Sequence, residues 1–399
     1  MNDEQMTGRN ALLDGKDVAI VGGGPGGLTL ARLLQRRGAR VRVYERDASP
    51  VARQQGGCLD LHEQSGQLAL REAGLMERFH GIARREGQHA KIFDRDGIER
   101  FELRAEDEAQ SCPEIDRGEL RTLLLDSLEA GTVQWDCHLT EVVRCDRPGE
   151  HRLVFASGDS VRADLVVGCD GTGSKVRPLV TSVKPAYGGV TFIETCVSEP
   201  DVRYPALSAR VGPGSIMVVG DNRGLLAQRN GDGRIRVYVA LRVPEAWPAE
   251  SGIDFAKPAA TRERLLDCFA GWSPDALDLL RLSDDVFMHR PLYTVPANAW
   301  WSEWNDARAG VTLLGDAAHV MPPFTGQGAN LAMLDAVELA RALTAGTHTS
   351  LTDALRAYEH AMFERMTPAI DETLASQDLV ISADAPQGLI AAIKERMRG

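Results

Sequence analysis

The sequence has no cysteine spacing that would indicate a metal centre or a disulfide framework. Its seven cysteines include no Cys-x-x-Cys pair and no cluster with histidine at metal-ligand spacing. Because the count is odd and the chain is long, we expect free thiols in a reducing compartment. No metal site is predicted.

Long apolar runs and a leader peptide are also missing. No run of about 18 apolar residues, the length that indicates a membrane-spanning helix, occurs in the chain. Residues 1–16 are polar and acidic, without the basic-then-apolar order of a signal peptide. We therefore expect a cytoplasmic protein with no membrane partner.

Basic charge is scarce relative to acidic charge. The chain has 45 Lys and Arg residues against 57 Asp and Glu residues, a net charge of −12. A nucleic-acid partner is therefore not expected, because phosphate binding needs a basic face. The length of 399 residues and the 43% hydrophobic content are those of an ordinary globular protein with one large or two medium domains.

Hydrolase motifs are absent, since the chain contains no Gly-x-Ser-x-Gly sequence. What the chain does contain is a β-α-β pattern near its start. Asp17 to Val21 is a short apolar strand, 25–37 has helical apolar spacing, and 40–45 alternates as a second strand. Any redox or oxygen chemistry would then come from a bound cofactor.

A glycine motif occupies the turn between the first strand and the helix. Gly22, Gly24 and Gly27 form Gly-x-Gly-x-x-Gly, and Glu45 ends the second strand. These glycines allow a tight turn, a close approach of the pyrophosphate, and close packing of helix against strand. The helix N-terminus favours phosphate, and the carboxylate can accept hydrogen bonds from ribose hydroxyls. The sequence therefore predicts a dinucleotide site.

Two further motifs follow predicted strands. Asp170-Gly171 comes after the strand 163–167, and Gly315-Asp316 comes after the strand 311–314. Residues 186–245 alternate as antiparallel strands, and helices are predicted over 119–130, 328–345, 350–378 and 386–398. This order predicts an α/β protein with a substrate region inserted into a cofactor domain.

The three motifs in this order resemble those of the class A FAD-dependent aromatic monooxygenases, typified by p-hydroxybenzoate hydroxylase. Within that family the chain is most similar to the tetracycline-inactivating flavin monooxygenases. The sequence runs that carry this likeness are 44–47, 59–62, 113–117, 315–324 and 326–328.

The resemblance implies a glutathione-reductase-type, Rossmann-like FAD domain with an inserted mixed or antiparallel sheet domain and C-terminal helices. The implied FAD domain comprises 1–75, 98–182 and 286–345, and the substrate domain comprises 76–97 and 183–285. Residues 346–399 would be helices that bridge both domains. A further C-terminal domain that often assists dimerisation is missing, so a monomer is expected.

The resemblance also implies a cofactor site. Asp316 would bind the ribityl chain of FAD, and Arg117 would lie near its phosphate end. Arg46 would lie by the adenine and Arg53 would meet NADPH phosphate. The full set of expected cofactor residues is Gly22, Gly24, Gly27, Glu45, Arg46, Arg53, Asp60, Arg117, Asp170, Asp316, Gly326, Gly328 and Asn330.

The implied activity is hydroxylation of an aromatic or polycyclic substrate through a flavin C4a-hydroperoxide, with NADPH or NADH as reductant and O2 as co-substrate. No catalytic side chain is predicted. His319 could be a base or a packed residue, and Asp316 could instead cap a helix. A second glycine motif for NADPH is missing, which fits a family in which the nicotinamide binds transiently.

Four residues are expected to contact the substrate: Glu194, Ser215, Arg236 and Phe324. The tetracycline-inactivating enzymes carry Gln, Arg and His where this chain has the first three. That difference favours another polycyclic phenol or fused-ring compound over tetracycline. Trp300, Trp301 and Trp304 could cover an aromatic ligand or pack in the core.

Three alternatives share this fold: a halogenase, a reductase, and a flavoprotein that sequesters a ligand without oxidising it. The halogenase is disfavoured because its Trp-x-Trp-x-Ile-Pro motif is missing, and 301–304 has a different tryptophan spacing.

Overall fold

The computed structural model describes residues 12–52, 56–104, 112–296, 301 and 308–396. The strands are β1 (Asp17–Val21), β2 (Arg40–Tyr44), β3 (Cys58–Asp60), β4 (Ala90–Asp94), β5 (Glu99–Leu103), β6 (Glu114–Asp116), β7 (Val133–Gln134), β8 (Leu139–Arg144), β9 (His151–Phe155), β10 (Ser160–Ala163), β11 (Leu165–Gly168), β12 (Ala186–Val197), β13 (Ser215–Gly220), β14 (Arg223–Arg229), β15 (Ile235–Arg242), β16 (Met288–Thr294) and β17 (Val311–Leu313). The helices are α1 (Pro25–Gln35), α2 (Gly66–Ala73), α3 (Met76–His80), α4 (Arg117–Leu125), α5 (Pro200–Arg203), α6 (Pro205–Val211), α7 (Trp247–Ser251), α8 (Pro258–Cys268), α9 (Pro274–Arg281), α10 (Asp316–His319), α11 (Gln327–Thr344), α12 (Leu351–Val380) and α13 (Gln387–Arg396).

A parallel sheet with strand order β17-β11-β1-β2-β7 forms the first layer. Its central strands are almost wholly apolar and buried, as expected where helices cover both faces of a sheet. The predicted β-α-β unit is β1-α1-β2, and α1 packs against α11. A small antiparallel sheet has the strand order β10-β9-β8, and its strands lie between β7 and β11 in the sequence.

A second, seven-stranded sheet has the order β16-β12-β15-β14-β13-β4-β5. Its strands pair antiparallel except for β13 with β4. Alternation along β12 sends Ile193 into a core shared with α6, α8 and α9, and sends Phe192 to the opposite face. That opposite face packs against the end of α12 and against α13.

Two predicted domain boundaries cut through this sheet. The boundaries at 97/98 and 285/286 assign β5 and β16 to the FAD domain, but β5 pairs with β4 and β16 pairs with β12. These pairings correct the division, because hydrogen-bonded strands belong to one sheet. The predicted helix over 119–130 is also shifted and is observed as α4, Arg117–Leu125.

The long helix α12 contacts both layers. The Tyr358 hydroxyl donates to the Leu313 carbonyl at 2.9 Å, on the parallel sheet. Nearer the helix end, the Gln377 amide donates to the Gly188 carbonyl at 2.8 Å, on β12. Among the helices of the described residues, none combines the length and the apolar character needed to cross a bilayer.

Candidate functional site

Three predicted motifs meet at one edge of the parallel sheet. In the strand register, Val21 lies opposite Gly168, and Gly168 lies opposite Leu313. The carboxyl ends of β1, β11 and β17 are therefore adjacent, which brings the glycine loop beside the Asp170 loop and the Asp316 turn. This edge is where open α/β sheets bind ligands.

The glycine loop is tight on one side and open on the other. Gly22 has φ of +105°, and a Cβ there would lie 2.3 Å from the Cys169 carbonyl oxygen. A Cβ on Gly27 would lie 2.2 Å from the Gly22 carbonyl oxygen. By contrast, a Cβ on Gly24 would meet nothing within 4 Å, and no side chain caps the helix α1 that begins there. The N–H groups at this helix end therefore have no side-chain cap, and a ligand can accept their hydrogen bonds.

Glu45 is held against the glycine loop. Its carboxylate accepts the Gly23 N–H at 2.5 Å and the Asp47 N–H at 3.0 Å. With 6% of its surface exposed, it stiffens the loop in addition to its predicted contact with ribose. Arg46 is exposed, and Arg53 lies outside the described residues.

Arg177 is a site residue that the sequence did not single out. Its guanidinium donates to the Ala317 carbonyl at 2.7 Å, the Asp316 carbonyl at 2.9 Å and the Thr172 carbonyl at 2.7 Å. It thereby joins the Asp170 loop to the Asp316 turn. The only sequence signal is its position shortly after Asp170-Gly171.

Asp170 has one satisfied and one unsatisfied carboxylate oxygen. Oδ2 accepts the Lys175 N–H at 2.6 Å. Oδ1 is buried and has no hydrogen-bond partner among the described residues. Burial raises the pKa of this carboxyl. A ligand that donates a hydrogen bond at this point would satisfy the group.

Asp316 begins helix α10 at the carboxyl edge of the parallel sheet. The residue is exposed, yet the surrounding protein displaces enough water to raise its pKa, and the charges of His319, Arg117 and Arg177 oppose that rise. Within the described part of the chain, the Arg117 guanidinium has no hydrogen-bond acceptor. Asp316 and Arg117 therefore present an anion and a cation to the same groove.

The N-terminus of α11 forms the other end of the groove. Gly326 has φ of +67°, and a Cβ there would lie 2.8 Å from an Asp60 carboxylate oxygen. Gly328, in the first turn, has nothing within 4 Å of its Cβ position. One turn later, the Ala332 carbonyl oxygen lies 2.9 Å from the Cβ position of Gly26, so this helix end lies beside the glycine loop.

Asn330 bonds the backbone at the end of β3 and just after it. It is 1% exposed, and its amide oxygen accepts the His62 N–H at 2.9 Å and the Gly66 N–H at 3.2 Å. Its amide nitrogen donates to the Asp60 carbonyl at 2.7 Å. Asn330 thus fixes the loop that carries Asp60, and a direct contact with a cofactor stays a prediction.

The expected substrate residues lie on the α13-facing side of the seven-stranded sheet. Phe324 makes an edge contact with Phe192 at 5.7 Å between ring centroids, and Phe192 lies 5.7 Å from Tyr238. We call these three rings the aromatic wall. Tyr238 and Phe192 are the members that the sequence did not identify.

Glu194 and Arg236 contact each other, and their predicted contact with a substrate stays a prediction. Their side chains are buried and form an ion pair at 3.5 Å, and Arg290 reaches the second oxygen of Glu194 at 3.4 Å. Ser215 is half-buried on β13. Trp301 is buried against Phe363, so it packs in the core, while Trp300 and Trp304 lie outside the described residues.

These residues fit an FAD molecule. A Cβ at Gly24 or Gly328 would meet nothing within 4 Å, the Arg117 guanidinium has no acceptor within the described ranges, and Asp170 and Asp316 offer acceptors. Diphosphate, ribityl hydroxyls and an anionic ring edge each find a complementary group. No arrangement of His, Cys, Asp and Glu suited to a metal occurs within the described ranges.

Comparison with known proteins agrees with this geometry. The sequence profile of a family described as "FAD binding domain" matches residues 16–228 and 299–373. Monooxygenase penA of Penicillium thymicola is 30% identical over 410 residues, covering 89% of this chain and 93% of the relative. 3-Amino-4-hydroxybenzoate 2-monooxygenase PtnB3 of Streptomyces platensis is 31% identical over 366 residues, covering 88% and 84%.

Solved structures share the fold. Klebsiella pneumoniae HpxO, complexed with FAD and uric acid, has a TM-score of 0.78 at 22% identity, covering 97% of this chain and 94% of the other. Tetracycline destructase Tet(51) has a TM-score of 0.70 at 18% identity, covering 96% of each chain. The predicted fold class is confirmed.

Proposed function

Because this chain belongs to the family of FAD-binding monooxygenases, we propose that it hydroxylates an aromatic or fused-ring small molecule. The predicted resemblance and the prediction of an FAD-dependent monooxygenase are confirmed by the family match and by the relatives named as monooxygenases. NADPH or NADH is the reductant typical of this family, and O2 is the co-substrate.

The observation that carries the substrate class is the aromatic wall beside the groove. Phe324 lies on the segment between Asp316 and the N-terminus of α11, so it connects the cofactor groove to Phe192 and Tyr238 on the sheet. A planar ring packs well against such side chains. The relative PtnB3 is named for a substituted benzoate, which supports an aromatic substrate here.

The chain's own residues would bind and orient. The N-terminus of α1 and Arg117 would hold the diphosphate of FAD, Asp316 would accept hydroxyl hydrogen bonds, and the N-terminus of α11 would stabilise negative charge on the flavin ring. Bound FAD supplies the oxygen activation. The aromatic wall then holds the substrate ring near the reacting position and limits the access of water.

The polar end of the wall suggests which ring systems fit. The Tyr238 hydroxyl has no hydrogen-bond partner in the described ranges, and the Glu194–Arg236 pair lies on the neighbouring strand positions. A ring that carries phenol or carbonyl oxygens can use the hydroxyl. Together with the predicted likeness to the tetracycline-inactivating enzymes, this hydroxyl favours fused-ring phenols as the substrate class.

A product assay tests this proposal. Purified protein is incubated with NADPH, O2 and a panel of fused-ring phenols, single-ring phenols and tetracyclines, and products are identified by mass. We expect substrate-stimulated NADPH oxidation and the gain of one oxygen on a fused-ring phenol. Oxygen gain only on single-ring phenols would reject the fused-ring class, and a product formed without O2 would indicate a reductase.

Two phenylalanine variants sharpen the assay. Phe324→Leu should lower the amount of product per NADPH by about tenfold, because the ring is no longer held in place. Phe255→Leu is the matched control, since Phe255 packs on the other face of the sheet. Equal loss of coupling in both variants would argue against the aromatic wall.

We also propose a monomer located in the cytoplasm. The acidic net charge of −12 and the odd number of cysteines support this proposal. Light scattering after size-exclusion chromatography measures the mass directly. A mass well above 43.4 kDa would reject the monomer.

A further inference from the structure

A buried charged network lies behind the Asp316 turn, and the proposed reaction gives it no role. Its centre is Asp335 on α11, which is fully buried. Asp335 Oδ2 accepts the Gly315 N–H at 2.9 Å and lies 2.6 Å from His319 Nε2. Asp335 Oδ1 accepts from the Arg365 guanidinium of α12 at 2.6 Å. Three elements therefore meet at one carboxylate.

Asp335 is suited to remain ionised in this position. Burial opposes its ionisation, but the charges and hydrogen bonds of His319 and Arg365, with the Gly315 N–H, outweigh burial and lower its pKa. Charge-assisted hydrogen bonds in a dry interior are strong and directional. His319 itself is 1% exposed, so it is not accessible as a base for a substrate.

The turn from Gly315 to His319 is consequently held from two sides. Asp335 bonds its first N–H and its last side chain, whereas Arg177 bonds the carbonyls of Asp316 and Ala317. Gly315 has φ of +58°, a conformation that favours glycine. Asp316 is the exposed residue of this turn, whereas Ala317, Ala318 and His319 are buried.

We propose that His319, Asp335 and Arg365 are positioning residues that fix the Asp316 carboxylate for the ribityl end of FAD, so that helix α12 contributes to cofactor affinity without touching the cofactor. The glycine loop and Glu45, which serve the adenosine diphosphate end, belong to other elements. Loss of the network should therefore weaken FAD binding and spare ADP binding.

The test compares the affinities of the apoprotein for FAD and for ADP. In His319→Leu, which removes the donor to Asp335, we expect the Kd for FAD to rise about tenfold or more and the Kd for ADP to change less than about twofold. His319→Gln keeps a donor near Nε2 and should restore most of the FAD affinity. FAD binding is followed by quenching of flavin fluorescence, and ADP binding by calorimetry.

A second ion pair on α12 provides the matched control. Glu359 is buried against Arg308 and accepts the Thr312 hydroxyl at 2.8 Å, but it makes no bond to the Asp316 turn. Glu359→Gln should change stability without changing the ratio of the two affinities. If His319→Leu does not fold, Arg365→Lys replaces it, with a smaller shift in the same direction. An unchanged ratio in the network variants, or an equal change in Glu359→Gln, would overturn the proposal.

Discussion

At the scale of single residues, two glycines of the first loop differ in what surrounds them. Gly22 has a positive φ and lies against the backbone of Cys169, so the fold itself requires a glycine there. Gly24 has an ordinary φ of −82° and open space above it. Its glycine is needed only if another molecule approaches the backbone closely.

This difference separates folding from cofactor binding. Gly24→Ala should leave the melting temperature of the apoprotein unchanged but raise the Kd for FAD by roughly 10-fold to 100-fold, because the added methyl group overpacks the diphosphate position. Gly22→Ala should weaken FAD binding and should also lower the free energy of unfolding by about 1–3 kcal/mol. Thermal melts of both apoproteins and FAD titrations measure these effects. Normal FAD affinity in Gly24→Ala would contradict the assigned role of the loop.

At the scale of elements, the site depends on how separate loops are joined. The Asp170 loop follows β11 and the Asp316 turn follows β17, and Arg177 bonds carbonyl oxygens of both. Burial lowers the pKa of this guanidinium, and the charges of Asp170 and Asp316 oppose that effect. The side chain thus acts as a clamp between two loops of the candidate site.

Removal of this clamp should affect both loops together. Arg177→Met leaves the buried Ala317 carbonyl and several partly buried carbonyls without this donor, so we expect a loss of about 2–4 kcal/mol in the free energy of unfolding and weaker FAD binding. Arg162→Met is the control, because the Arg162 side chain is 70% exposed and its partner Glu150 keeps a second ion pair with Arg147 at 3.0 Å. Urea unfolding of both variants gives the comparison, and equal losses would refute the clamp.

At the scale of the whole molecule, the two-stranded ribbon of β3 and β6 connects the cofactor groove to the seven-stranded sheet. Glu114 of β6 accepts the amide of Gln228 of β14 at 3.0 Å, and Arg84 lies 3.6 Å from its other oxygen. Burial raises the pKa of Glu114 from 4.5 to about 7. The junction is therefore sensitive to pH near neutrality.

The direction in which stability changes with pH follows from the raised pKa of Glu114. Below about pH 4.5 the Glu114 carboxyl is protonated in both the folded and the unfolded chain, so its full contribution to the free energy of unfolding is present. As pH rises towards 7, only the unfolded chain loses the proton, and stability falls by at most about 3 kcal/mol. Above about pH 7 no further change arises from this group.

Glu114→Gln should remove that part of the pH dependence and make the protein more stable than the wild type at pH 8. The free energy of unfolding in urea at several pH values between 5 and 8 tests this expectation. Glu119→Gln, at an exposed position of α4, is the control and should keep the wild-type slope. The same slope in Glu114→Gln would show that the junction does not depend on this carboxyl.

Local features were predictable because each depends on residues that are close together in the sequence. The β1-α1-β2 unit, the turns at Gly22 and Gly315, and the alternation along β12 and β15 each depend on neighbouring residues. The boundaries of α12 differ from the prediction of 350–378 by at most two residues at each end. The order of the three motifs was sufficient to indicate the family.

The sequence by itself determined that this protein binds a dinucleotide through a strand, a glycine turn and a helix, since that chemistry needs particular residue types at fixed local spacing. Only the tertiary structure decided which side chains meet across the chain. Arg177 bonds Ala317 at a separation of 140 residues, Asn330 bonds the loop of Asp60, and Glu194 forms an ion pair with Arg236. Such contacts arise from the packing of distant elements, which no local pattern encodes.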